Sequence, residues 1–138
     1  MIKIAFYDPT GTQRPTDQSA AIRTFYENLA DMGGIKISKM AFDAYLKTWN
    51  ISNKIGLPGL NDTTQDQVFY IAFGQAWCTK QLTRYRQLQL DQDSHAPERF
   101  RVLGSLRQSR DFANTFQCKV NSRMNPEPDE RCKIWGGG

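Results

Sequence analysis

A mainly α fold is predicted from three observations. Apolar residues recur at spacings of three and four through the first third of the chain, which is the helical period. Residues suited to capping helix N-termini stand at the start of several such runs. The stretches between the runs gather Gly, Pro, Asn and Asp, which interrupt regular structure.

Taken in order, residues 1–18 read as irregular, with turn signals at Asp8-Pro9-Thr10-Gly11 and then Arg14-Pro15-Thr16-Asp17. Thr16 or Asp17 is expected to cap a helix whose apolar face is Ile22, Phe25, Leu29 and Met32. Gly33-Gly34 is expected to interrupt it, at roughly 1 kcal/mol per glycine relative to alanine. A second helix is predicted from Ser38 to Trp49, with Ala41, Tyr45, Leu46 and Trp49 on one side. Asn53 to Leu60 holds Gly56, Pro58 and Gly59 and is read as a loop. Asp62 or Thr63 caps the next predicted helix, Thr64 to Thr79. Val68 to Phe73 and Ala76-Trp77-Cys78 make it apolar on nearly every face, so it is expected to be central and buried. Residues 91–97 are polar, end in Pro97 and read as a loop. Phe100 to Leu103 is expected to be a short extended segment, and Ser109 to cap a last helix reaching Cys118. The tail from Met124 through Pro128 is irregular, and Gly136-Gly137-Gly138 closes the chain.

The 138 residues fit one domain, and 39% hydrophobic with 12% aromatic content suits a packed core. The net charge of +4 is spread along the chain without a block of like charges, so no nucleic-acid partner is expected. The densest basic stretch, Lys80 to Arg86, reads as the solvated C-terminal end of a helix. The longest apolar run, Val68 to Phe73, is far short of the roughly 18–20 residues of a membrane span. The N-terminus, Met1 to Phe6, lacks the apolar core and cleavage site of a signal peptide.

The single histidine, His95, excludes a complete His-Glu-x-x-His zinc helix and a three-histidine zinc site within this sequence. Three cysteines, Cys78, Cys118 and Cys132, form no C-x-x-C. They read either as buried thiols of a cytosolic protein or as disulfide partners whose mates lie elsewhere. The sequons at Asn50-Ile51-Ser52 and Asn61-Asp62-Thr63 lean toward the second reading.

Two local features carry chemistry. Glu27 and Asp31 stand four apart and share one helix face. They read either as a solvated acidic face or as a metal helix, with Glu27 binding the cation and Asp31 fixing a neighbouring histidine ligand. Asp93-Ser94-His95-Ala96-Pro97 is followed by Arg101. His95 is either a surface histidine or an imidazole, held by Asp93, that donates to a developing oxyanion. The Arg101 fork suits a carboxylate or a carbonyl.

Together these segments resemble the neprilysin and endothelin-converting enzyme family of zinc metallopeptidases. The resemblance rests on Glu27-Asn-Leu-Ala-Asp31-Met-Gly-Gly34, Leu57-Pro-Gly-Leu60, Phe73-Gly-Gln-Ala-Trp77-Cys78 and Asp93 through Gly104. It continues through Phe112-Ala-Asn-Thr-Phe116-Gln-Cys118, Asn121 through Pro126 and Cys132-Lys-Ile-Trp135.

The resemblance implies that residues 24–135 are the C-terminal helical portion of a thermolysin-like (gluzincin) catalytic domain. They follow a segment, 1–23, that does not match, and precede the glycine tail at 136–138. It implies that Glu27 is a zinc ligand and that Asp31 orients a zinc histidine. His95, paired with Asp93, would stabilise the tetrahedral intermediate, and Arg101 would grip the peptide substrate. In such enzymes zinc activates a water and polarises the scissile carbonyl. Two of the three ligands and the general base are absent from this sequence. The expectation is therefore a C-terminal fragment of a zinc metalloendopeptidase, inactive alone, whose partners are peptide substrates and the remainder of the catalytic domain. The alternative is a non-catalytic helical module that binds peptides or a partner. The resemblance further implies an extracellular or cell-surface setting, and disulfides from all three cysteines to cysteines outside this stretch. Tyr26 stands where the family usually has glycine.

Overall fold

The computed structural model describes residues 22–49 and 58–132. The turn at Asp8 to Gly11, the helix start at Thr16 or Asp17, the Asn50 sequon, Gly56, Leu57, Trp135 and the glycine tail lie outside the described residues. The rest is mostly helical, as predicted. Helices α1 (Phe25–Thr48), α2 (Gln65–Ala76), α3 (Thr83–Gln92), α4 (Glu98–Gln108) and α5 (Arg110–Thr115) precede a 3-10 turn at Pro128–Glu130. Among the described residues, β structure is limited to one bridge between Ser122 and Asn125. No helix among them is long and apolar enough to cross a membrane.

Helix α1 corrects the first expectation. It runs 24 residues without a break at Gly33-Gly34. Once a helix is nucleated, two interior glycines cost about 2 kcal/mol together. Burial of Met32 and Ile35 on either side offsets that. The buried stripe is Asn28, Met32, Ile35 and Lys39, so the predicted stripe shares only Met32 with it. Ile22 is 68% exposed, and Tyr45 and Trp49 lie in the open. The sequence offers apolar residues on two faces of α1, and packing against α4 selects one of them. Two polar side chains in that stripe are satisfied locally. Asn28 Nδ2 donates to Thr24 Oγ1 at 3.0 Å. Lys39 is paired with Asp43 and Asp66. Burial opposes the Lys39 charge, but those two carboxylates outweigh it and raise its pKa.

Helix α2 starts one residue later than predicted, at a capping box. Thr64 Oγ1 accepts from the Gln67 amide at 3.2 Å, and Gln67 Oε1 accepts from the Thr64 amide at 2.9 Å. The helix is not buried all round. Tyr70 is its buried residue, while Ile71 is 39% exposed. Tyr70 joins Ile35 and Leu106 in the core, with Phe69, Phe73, Val102, Phe112 and Met124 packed around them. The rings of Tyr70 and Phe112 meet edge to face at 5.3 Å.

Helix α3 is not anticipated by apolar periodicity, because its sequence, TRYRQLQLDQ, is dominated by polar residues. Lys80 lies before it and Arg84 and Arg86 in its first turns, so the basic stretch is at a helix start rather than a helix end. Helix α4 absorbs Phe100 to Leu103, the segment expected to be extended. Helix α5 begins at the predicted cap, where Ser109 Oγ accepts from the Phe112 amide at 3.1 Å, but it stops at Thr115 rather than Cys118.

Candidate functional site

Three pieces of chain converge at the N-terminal end of α4. Helix α1 carries Glu27 and Asp31 one turn apart. The turn between α3 and α4 carries Asp93 and His95, and the first turn of α4 carries Arg101. The structure brings all five sequence-predicted residues into one network.

The turn is shaped by Asp93. Its Oδ1 accepts from the His95 backbone amide at 2.8 Å and from the ring at Nδ1 at 2.9 Å. The backbone bond first, and the ring bond second, hold the Asp93 carboxyl below the usual carboxylate range. With Nδ1 turned to Asp93, the other ring nitrogen, Nε2, faces Glu27 Oε2 at 3.3 Å. Arg23 anchors the turn from outside, donating through Nε to the Asp93 carbonyl at 2.8 Å and through a terminal nitrogen to the Leu90 carbonyl at 2.6 Å.

Arg101 makes a two-toothed bond. Its Nε and one terminal nitrogen each donate to an oxygen of Asp31 at 2.6 Å. Both side chains are largely shielded, 15% and 10% exposed. The Asp31 bonds raise the Arg101 pKa above its ordinary value. The face of Trp77 lies 4.2 Å from the guanidinium carbon, and Glu27 Oε2 stands 3.9 Å from its terminal nitrogen. Glu27 is thus the hinge of the network, reached by the imidazole from one side and the guanidinium from the other.

Two contributors were not assigned roles from the sequence. Trp77 sits within the apolar run ending α2, where its ring could be read only as core. Arg23 has no pattern that distinguishes it from other surface cations.

The zinc expectation meets a limit here. Among the described residues no three His, Cys, Asp or Glu side chains converge to hold a metal. Both oxygens of Asp31 are engaged by Arg101, which leaves Glu27 as one carboxylate beside one imidazole. These residues do not by themselves fit a zinc ion. The three cysteines are free thiols in this structure.

Beside the network, α1 and α2 leave an open groove of about 400 Å³. Ala30, Gly34 and Ser38 form one wall, with Phe69, Ala72 and Phe73 opposite.

Comparison with known proteins gives a consistent answer. Residues 4–132 match Peptidase family M13. Neprilysin-3 of Drosophila melanogaster is 41% identical over 115 residues, which cover 82% of this chain and 14% of that protein. Endothelin-converting enzyme-like 1 of Homo sapiens is 41% identical over 112 residues, 81% of this chain and 14% of the relative. A solved chain of a Haemonchus galactose-containing glycoprotein complex superposes with a TM-score of 0.75 at 35% identity, covering 82% of this chain and 19% of that one. The match runs through the segments that build the Glu27–Arg101 network, and the chain belongs to peptidase family M13.

Proposed function

We propose that this chain is a C-terminal piece of the catalytic domain of an M13 zinc metalloendopeptidase, and that alone it hydrolyses no peptide. The observation that carries this reading is the network itself. Glu27, Asp31, Asp93, His95 and Arg101 come from three separate pieces of chain and meet through Glu27 and Asp31.

In this reading Glu27 is one carboxylate ligand of a zinc ion, and the remaining ligands and the general base come from a part of the domain that this sequence does not hold. Asp93 holds His95 through Nδ1 and aims Nε2 beside Glu27. From there Nε2–H donates to the oxygen that gains negative charge as the scissile carbonyl becomes tetrahedral. Arg101 is fixed by Asp31 and Trp77, so its remaining N–H donors present a rigid edge to a substrate carbonyl. Asp31 serves that positioning and stands ready to orient a histidine ligand.

The partner is the rest of the catalytic domain, and the groove between α1 and α2 supports this, because apolar walls lie open next to the site. The chain's 14% share of its relatives' length supports it as well. Resemblance to the family supports a setting outside the cell or at its surface.

The test is cleavage of a fluorogenic peptide. The chain alone with zinc is expected to show none. Refolded with an upstream portion of an M13 relative bearing a His-Glu-x-x-His helix, it is expected to give zinc-dependent cleavage that Glu27→Gln abolishes. Zinc-dependent cleavage by the chain alone would overturn the inactivity. Complemented activity indifferent to Glu27→Gln would overturn the ligand role.

A second reading, a non-catalytic peptide- or partner-binding module, is favoured by the same open groove. It predicts that peptides bind the isolated chain and that Arg101→Ala weakens them. Absence of binding at high micromolar peptide removes it.

A further inference from the structure

The His95 ring is held by bonds rather than by burial. Its side chain is 44% exposed and that of Asp93 is 32% exposed. After the ring in sequence, packing fixes the chain, because Ala96 is 1% exposed and Pro97 leads directly into α4. Before it, no residue from Leu90 through His95 is buried. The ring nitrogen Nδ1 also has a second neighbour, Ser94 Oγ at 3.4 Å, so a small displacement of the turn offers it another partner. The aim of the ring therefore depends on what holds the backbone at Asp93.

Arg23 holds it, from 67 and 70 residues away. Leu90 lies in the last turn of α3, where carbonyls lack a partner amide within the helix. Asp93 is the residue that ends α3, and its carbonyl belongs to the peptide leading to Ser94 and His95. The Arg23 fork bridges the two, with Nε on the Asp93 carbonyl at 2.8 Å and a terminal nitrogen on the Leu90 carbonyl at 2.6 Å. Positive charge at a helix C-terminus is favourable, and α3 has no basic residue in its own last turn. Arg23 also stands one helical turn before Glu27 in sequence. One short stretch of chain thus grips the turn on the Nδ1 side and presents the carboxylate that meets Nε2.

We propose that Arg23 is a positioning residue for His95, holding Asp93 and through it the imidazole in register with Glu27. The inference rests on the reading of His95 as donor to the developing oxyanion. In that reading Nε2 exchanges the Glu27 oxygen for the substrate oxygen. The ring then keeps its aim only through Nδ1, Asp93 and the backbone that Arg23 ties down. A donor already in place stabilises developing charge without rearrangement, and loss of that order falls on kcat rather than on substrate binding.

The experiment follows the ring N–H protons of His95 by NMR in the full chain at fixed pH, where a single histidine makes the signal unambiguous. The native Nδ1–H, bonded to Asp93, is expected to exchange slowly with water. Arg23→Met keeps the length of the side chain and removes its donors. It should speed that exchange about tenfold or more, the scale of a hydrogen bond's contribution. Arg23→Lys keeps the charge without the fork and should fall between the two. Thr64→Ala, a cap variant in α2, controls for general loss of stability and should leave the exchange as in the native chain. In the domain refolded with its upstream portion, Arg23→Met should lower kcat about tenfold with KM changed by less than about twofold. Unchanged exchange in Arg23→Met, an equal change in Thr64→Ala, or an unchanged kcat each overturn the proposal. The ring signal of the chain alone judges the positioning whether or not the refolded domain cleaves peptide. Missing activity in the refolded native domain therefore counts against the catalytic reading and not against Arg23.

Discussion

The bond between Arg101 and Asp31 is the contact on which the cluster depends. It joins α1 to α4 with both oxygens of one carboxylate and two nitrogens of one guanidinium, in a largely shielded position. Removing one member of a shielded pair leaves the other charge without compensation. Arg101→Ala is therefore expected to lower the unfolding free energy by about 3 kcal/mol in a urea titration. Arg101→Lys should lose part of that, since an ammonium keeps the charge and cannot reproduce the fork. Asp93 sets the acid response. Its carboxyl is held below its ordinary value of 3.8, so its contribution is full above that pH. The contribution is lost as the pH falls through the lower, folded value. Asp93→Asn should flatten the fall in stability that the native chain shows on acidification below about pH 4. Glu27 and Asp31 were legible as a pair on one helix face, because helical spacing alone places them there. Their partners were not, since nothing in the spacing brings residues 93–101 to that face.

Among the elements, α2 and α5 announce their starts through side chains that satisfy their own first amides, Thr64 with Gln67 and Ser109. Such caps are local chemistry and need no tertiary partner. Thr64→Ala should lower stability by about 1 kcal/mol, read from the shift in the urea midpoint. Helix α1 shows the opposite case. Gly33-Gly34 looks like an interruption, yet the helix passes through it because packing against α4 holds both halves in line. A methyl group added at Gly34 meets nothing within 4 Å. Gly34→Ala is thus expected to stabilise the isolated chain by about 0.5–1 kcal/mol, measured by thermal unfolding. Helix α3 was invisible to periodicity because its buried residue is a glutamine, Gln89, and its flanks are held by polar contacts such as Gln81 to Glu98 at 2.9 Å.

At the scale of the molecule, the chain gathers Glu27, Asp31, Asp93, His95 and Arg101 in one network and leaves an apolar groove open beside it. One carboxylate and one imidazole bind zinc poorly, and a ligand raises stability only by binding the folded state. Equimolar zinc is accordingly expected to leave the melting temperature of the isolated chain unchanged. A rise that Glu27→Gln removes would show a more complete site than the described residues form. The sequence by itself determined the helical class, the cap at Ser109, the start of α2 to within one residue though not its cap, and the identity of the five residues that meet in the network. These follow from local propensity and from motif order, both written along one dimension. Only the tertiary structure decided which face of α1 is buried, that Arg101 is bound to Asp31, and that His95 turns Nε2 to Glu27. Those outcomes depend on the approach of α4 to α1, and contacts across 70 residues of sequence are set by packing and charge rather than by spacing.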